Sequence, residues 1–257
     1  MTDAPAILRP DASLPALPPS VPSRRYRVAR TLGRWTLRLL GWRFVGGFAD
    51  APRQVLIGWP HTSNWDGIVG LAAASVCGID TRIFAKKALF RPPVGWAMRA
   101  FGGIPVEREK PGGLVERAVE RFAEAEARGE GFVLAVAPEG TRGRGGGWKT
   151  GFHRIAVRAG VPIAVVVIDH GRKQIGATGT VVPSGDLAAD LAAIESLLVG
   201  VRGRHPERET LPTEGLGTPG PTGSLREGEG AGAAFPAPGR PYAVPPPGRT
   251  GGSLGAG

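Results

Sequence analysis

The stretch Val55-Leu56-Ile57-Gly58-Trp59-Pro60-His61-Thr62-Ser63-Asn64-Trp65-Asp66 decides how the chain is read. Residues 55–59 are an apolar run of strand length, and Pro60 closes it with turn chemistry. Ser63 and Asn64 are both helix-capping types, and Asp66 falls where the first turn of a following helix would lie. A carboxylate there is stabilised by the unpaired amides and the positive end of the helix dipole. Residues 64–77 continue as a small, apolar segment and predict that helix. The order strand, turn, helix is the unit of an α/β fold. His61 sits in the loop beyond the strand's carboxyl end, where such folds place functional groups.

Working outward, the same alternation recurs on both sides of this unit. Strands are expected over residues 82–85, 104–106, 132–137, 163–168 and, with weaker alternation, 175–182. Helices are expected over 94–101, over 113–128 where Leu114, Ala118, Phe122 and Ala125 repeat at helical spacing, and over 186–198. Strand and helix in alternation predict a single-domain α/β sandwich with a largely parallel central sheet flanked by helices. A chain of 257 residues with a 42% hydrophobic fraction supports one such core.

The expected domain covers residues 24–208. Residues 1–23 are Pro-rich without period and read as a disordered leader, and residues 209–257 read as a disordered Gly/Pro-rich tail. Residues 24–46 read as an amphipathic helix: Val28, Leu32, Trp35, Leu39 and Trp42 share one face. Arg24, Arg25, Arg27, Arg30, Arg34, Arg38 and Arg43 stand among them with no acidic residue. Arginine beside an apolar, Trp-bearing face suits a helix lying in the headgroup plane of an anionic membrane. A helix docked on the core with a solvated basic face is the plainer alternative.

The net charge of +10 implies anionic partners of some kind. No apolar run approaches the length of about twenty residues needed to span a bilayer, and the prolines break up any secretory signal. Those features predict a peripheral protein on the cytoplasmic face of the cell membrane. The lone Cys77 excludes an internal disulfide and reads as a small buried hydrophobe.

The chemistry resides in three loops. If the first loop folds back, Asp66 can accept a hydrogen bond from one ring nitrogen of His61 and leave the other to take a proton. That is a base with its orienting carboxylate, suited to activating a substrate hydroxyl. The pair on its own is a common surface arrangement and needs company. Company comes from Pro138-Glu139-Gly140-Thr141-Arg142 after the strand expected at 132–137, where Arg142 and the amides around Gly140 suit an anion. Glu139 there suits fixing the arginine or an acceptor hydroxyl. Gly102-Gly103-Ile104-Pro105-Val106-Glu107-Arg108 places a second arginine after another short strand. Two arginines at one sheet edge could clamp a phosphate.

Gly143 to Thr150 nearly spells a nucleotide-binding P-loop, but Trp148 stands where the glycine before the lysine is needed. No G-x-S-x-G nucleophile elbow is present, and one cysteine with four histidines makes no metal cluster.

In order and spacing these stretches resemble the glycerolipid acyltransferases of the lysophosphatidic acid acyltransferase type. His61-Thr62-Ser63-Asn64-Trp65-Asp66 matches that family's His-x4-Asp block. Gly103 to Arg108 is similar to its second block, Glu139-Gly140-Thr141-Arg142 to its third, and Val161-Pro162-Ile163 to its fourth, with Lys149-Thr150-Gly151 between the last two.

The resemblance implies an O-acyltransferase of phospholipid biosynthesis. His61 would deprotonate the acceptor hydroxyl, Asp66 would hold the ring, and Arg108 and Arg142 would bind the acceptor's phosphate. Glu139, Gly140, Thr141 and Lys149 would complete the substrate site. It implies no metal and no resident cofactor; the acyl donor, acyl-CoA or acyl carrier protein, is a substrate.

Pro105, Ala88 and the triplet Ser63-Asn64-Trp65 depart from the best-known members. They leave the acceptor open between 1-acylglycerol-3-phosphate, another lysophospholipid, and a glycolipid or amino-acid lipid precursor. A non-catalytic lipid-binding protein on the same fold is the alternative of a different class. Nucleic acid is not an expected partner, because no recognised binding module is present and the arginines concentrate on a Trp-bearing amphipathic helix.

Overall fold

A computed structural model describes residues 17–24, 27–92, 94–106, 113–140 and 147–214. In chain order the elements are α1 (Arg27–Leu39), β1 (Arg43–Phe44), β2 (Arg53–Trp59), α2 (Asn64–Cys77), β3 (Thr81–Lys86), α3 (Val94–Ala100) and β4 (Gly103–Val106). They continue with α4 (Gly113–Ala127), β5 (Phe132–Val136), α5 (Gly151–Ala159), β6 (Ile163–Asp169), β7 (Gln174–Val181) and α6 (Leu187–Ser196). Short 3-10 turns occupy Lys87–Phe90 and Pro206–Arg208.

The strands form one seven-stranded sheet in the order β1-β7-β6-β2-β5-β3-β4. Every neighbouring pair is parallel except β6 and β7, which run antiparallel. The largely parallel α/β sandwich expected from the alternation is the fold. β2 lies at its centre between β5 and β6, so the loops leaving those three strands emerge side by side at one edge.

The alternation of β2 divides its side chains between two layers. Val55, Ile57 and Trp59 enter the larger core with Phe122 of α4, Phe152 and Ile155 of α5, and Leu191 and Ile194 of α6. Leu56 packs on the opposite side, beside Val133, Ile79 and Val21. On that second face α2 and the end of α1 bury Val69, Ala73, Val76 and Leu37 against Ile168 and Ile175. Each large apolar side chain so buried contributes about 1.5–3 kcal/mol. Gly33 lets α1 and α2 meet: a Cβ there would stand 2.8 Å from the Ala72 carbonyl oxygen.

Several boundaries differ from the sequence reading. The leader expected to be unstructured over 1–23 is packed from residue 17: Val21 is buried, Ser23 bridges to Ile79, and Ser20 donates to Asp50. Residues 209–214, expected to belong to the tail, are structured: Thr210 is buried and anchored by two indoles. Residues 1–16 and 215–257 lie outside the described residues.

The amphipathic helix expected over 24–46 ends at Leu39, and Trp42 leaves its stripe to enter the core beside Ile175. Arg43 and Phe44 then add an edge strand. Val28, Leu32, Trp35 and Leu39 face solvent at 74, 62, 62 and 80% exposure, while Gly33 and Leu37 on the opposite side of α1 dock on the protein. Helix α5 escaped the sequence reading behind a Gly-rich approach. Phe152, Ile155, Ala156 and Ala159 nevertheless carry its helical spacing.

Candidate functional site

The site forms where β2 runs out. A cis peptide joins Trp59 to Pro60, and His61 and Thr62 lead to Ser63, the N-cap of α2. Ser63 and Asp66 make a capping box: the Ser63 hydroxyl accepts from the Trp65 amide, and the Asp66 carboxylate accepts from the Ser63 amide. Asp66 Oδ2 also accepts from the Thr62 amide at 2.7 Å, and the Ser63 hydroxyl donates to Oδ1 at 3.1 Å. The Asp66 side chain is 0% exposed, and these donors satisfy oxygens that burial removes from water.

His61 keeps 24% of its side chain exposed, and its Nδ1 faces Asp66 Oδ2 at 3.9 Å. That separation is contact between the two groups but is longer than a hydrogen bond. The imidazole in hydrogen-bond contact with Asp66 is a different one: His170 Nε2 lies 2.7 Å from Oδ1. His170 follows β6, whose register against β2 pairs Val167 with Trp59, so the two strands deliver both histidines to the same carboxylate. In the sequence His170 is one of four histidines, with no local feature that marks it.

The loop after β5 supplies Glu139, which is buried and accepts the His61 amide through Oε2 at 2.7 Å. Among the described residues it holds the backbone of the histidine loop; the arginine that the sequence offered it, Arg142, lies outside them. Burial pushes the Glu139 carboxyl up to about 7, against the His61 and Thr210 amides that hold it down. Gly140 follows with φ +65°, and the Lys149 stem lies across it: a Cβ at Gly140 would meet Lys149 Cε at 2.8 Å. The Lys149 amide donates to the Pro138 carbonyl, so this lysine is carried beside the loop. Arg108, Thr141 and Arg142 lie outside the described residues. β4 and β5, which precede them, run parallel with β3 between, and so end at the edge that holds His61.

A segment the sequence reading passed over closes the back of the site. The indoles of Trp59 and Trp148 both donate to the Thr210 carbonyl, at 3.0 and 2.8 Å. The residue that breaks the P-loop pattern is therefore a core tryptophan. The His205 amide donates to the Thr62 hydroxyl, and the Gly203 amide to Glu209. The Arg204 guanidinium lies 5.4 Å from the Trp65 ring centre, beside an apolar apron of Trp65 and Ile68 that α2 leaves exposed. Pairing of these indoles with a main-chain carbonyl over such long separations has no local sequence signal.

Cys77 lies partly buried at the far end of α2, where burial pushes its thiol up to about 12. It behaves as the small apolar group its setting suggested. Among the described residues no group of three or more His, Cys, Asp or Glu could hold a metal ion. No helix among them is long and apolar enough to cross a membrane.

The chain is similar in part to known proteins. Residues 48–169 match the family model described as Acyltransferase. A 129-residue stretch is 30% identical to the 1-acyl-sn-glycerol-3-phosphate acyltransferase BAT2, chloroplastic, of Brassica napus, over 49% of this chain and 35% of that protein. It is 28% identical to the corresponding LPAT1 of Arabidopsis thaliana, over 49% and 33%. The chain thus spans about a third of the length of these relatives. Among solved structures, the 1-acyl-sn-glycerophosphate (LPA) acyltransferase PlsC of Thermotoga maritima aligns with a TM-score of 0.46 and 20% identity, over 66% of this chain and 75% of that one.

Proposed function

From the premise that the chain carries, over residues 48–169, a domain of the acyltransferase family, we propose that it moves a fatty acyl chain from a thioester to the hydroxyl of a lysophospholipid-type acceptor. The donor is acyl-CoA or acyl carrier protein, and 1-acylglycerol-3-phosphate is the leading acceptor. The observation that carries this reading is His61: a partly exposed imidazole at the carboxyl end of the central strand, facing a buried, fully tied carboxylate.

His61 Nε2 takes the proton of the acceptor hydroxyl as that oxygen attacks the thioester carbonyl carbon. The tetrahedral adduct collapses with loss of the C–S bond, and the imidazolium returns the proton to the departing thiolate. Asp66 faces Nδ1 and stabilises the imidazolium that forms; its 3.9 Å approach shortens as charge develops on the ring. A positioned base of this kind is worth about 10²- to 10⁴-fold in rate. Arg108, Arg142 and Lys149 are the cations assigned to the acceptor's phosphate and the donor's anionic groups.

The acceptor is lipid-borne, and α1 supports a membrane encounter. Its apolar stripe of Val28, Leu32, Trp35 and Leu39 points away from the protein, with Arg30, Arg34 and Arg38 exposed along one flank. That orientation supports the interfacial reading over a helix docked on the core with a solvated basic face. Trp65 and Ile68 extend apolar surface to the threshold of the His61 loop. The enzyme accordingly works as a peripheral protein on an anionic membrane surface.

An acceptor screen with both donors, following thiol release and the ester formed, tests the reading. Release stimulated by 1-acylglycerol-3-phosphate supports it. Release only with a glycolipid or amino-acid lipid precursor moves the acceptor but keeps the chemistry. Liposome binding with no thiol release for any acceptor contradicts it in favour of a lipid-binding protein.

A further inference from the structure

We infer that His170 is a positioning residue for the acyl-transfer base, acting through Asp66; the inference rests on the reading of His61 as that base. Asp66 has two oxygens with different tasks. Oδ2 accepts the Thr62 and Ser63 amides at 2.7 and 2.6 Å and is the oxygen that His61 Nδ1 faces. Oδ1 is held by the Ser63 hydroxyl at 3.1 Å and, more tightly, by His170 Nε2 at 2.7 Å. A carboxylate oxygen only accepts, so an ionised Asp66 requires His170 to carry its proton on Nε2. Without that donor, Oδ1 keeps a single contact to a rotatable hydroxyl, and the carboxylate, still held at Oδ2 by two amides, loses the restraint that fixes its tilt toward His61.

His170 is itself held firmly. Its amide donates to the Arg202 carbonyl at 2.7 Å, and its ring meets the Trp42 ring edge-on at 4.9 Å between centres. Its side chain is 9% exposed against 24% for His61, so of the two imidazoles around Asp66 only His61 offers substantial surface to a substrate. The acyltransferase-family match ends at Asp169, one residue before it. The assignment therefore comes from the contact alone, across 104 residues of sequence.

The variants His170→Ala and His170→Gln separate positioning from mere packing, because the glutamine amide nitrogen reaches about where Nε2 sits and still donates. With acyl-CoA and 1-acylglycerol-3-phosphate as substrates, His170→Ala lowers kcat about 10- to 100-fold, the usual cost of losing an outer-shell partner. KM for both substrates stays unchanged, and His170→Gln recovers most of the loss. Ring-nitrogen NMR gives a readout that needs no turnover: the His61 Nδ1 and Nε2 shifts move in His170→Ala and return in His170→Gln.

Wild-type kcat in a folded His170→Ala overturns the inference. So does a folded His170→Gln as inactive as the alanine variant, which would make the imidazole itself a proton carrier. If the wild type transfers no acyl group, the functional reading fails. The NMR still decides the positioning claim, and His61 shifts that ignore His170→Ala contradict it.

Discussion

Two buried aspartates, Asp66 and Asp190, stand in the first turns of α2 and α6 with nearly the same donors around them. Asp66 takes two backbone amides, a serine hydroxyl and the His170 imidazole. Asp190 takes the Ser184 and Gly185 amides, the Ser184 hydroxyl and the His153 imidazole, the last at 2.7 Å. What differs is the opening. His153 is sealed, with its side chain 6% exposed, and Asp190 pins the start of α6 to the turn before it. Asp66 has a second, partly exposed imidazole at 3.9 Å and lies at the carboxyl end of the central strand. Each tied carboxylate clamps a helix start; on the proposed reading, Asp66 joins the reactive site because a second imidazole opens beside it.

The contrast breaks most visibly at the two carboxylates. Asp66→Asn keeps the shape but leaves His61 without a charge to stabilise its imidazolium, so kcat falls about 10³- to 10⁴-fold while the protein stays folded. Steady-state thiol release together with a melting curve checks this. At the other clamp, His153→Ala removes one of several donors from a buried carboxylate and costs about 1–3 kcal/mol of stability, read by urea unfolding, while kcat per folded molecule is unchanged. Had both variants altered the same quantity, the distinction between clamp and site would be lost.

The carboxyls also titrate in opposite senses. Burial pulls Asp190 upward, but the Ser184 amide and His153 outweigh it and hold it below the usual range. Its stabilisation is present above the ordinary carboxylate pKa and is lost on acidification. Glu139, raised from 4.5 to about 7, does the reverse: its stabilisation is complete below pH 4.5 and is lost as pH rises through about 7. Glu139→Gln therefore flattens the stability profile between those values and melts higher than wild type above pH 7. Parallel thermal melts of the two proteins from pH 4 to 9 measure it. The smallest effect is at the membrane surface. Trp35→Ser weakens binding to anionic liposomes several-fold without changing turnover of a soluble short-chain acceptor, checked by co-sedimentation.

The Asp66 side of this contrast was legible in the sequence in part, and the rest was not for definite reasons. The strand at 55–59 and the place of Asp66 in the first turn are local and legible, and the cap narrows to Ser63 or Asn64, of which the structure uses Ser63. The largely parallel sheet followed from alternation. The partner of Asp66 was not local: His170 is one histidine after a strand, and nothing within its own neighbourhood distinguishes it. Only the adjacency of β2 and β6 brings it to the site, and adjacency is a property of strand order. A reader who paired those two strands would have found it, since each delivers a histidine just past its end. The Thr210 carbonyl is harder still, because its value lies in two indoles from distant strands and loops. The stripe on α1 shows the opposite case. Its spacing was plain, and the structure settled which side it faces by docking Gly33 and Leu37 instead.

The measurement that bears most directly on the central claim is thiol release by His61→Ala beside wild type, with acyl-CoA or acyl carrier protein and 1-acylglycerol-3-phosphate. The account predicts a variant that melts within a few degrees of wild type, still binds liposomes, and turns over at least about 10²-fold more slowly. Undiminished turnover by a folded His61→Ala would contradict it.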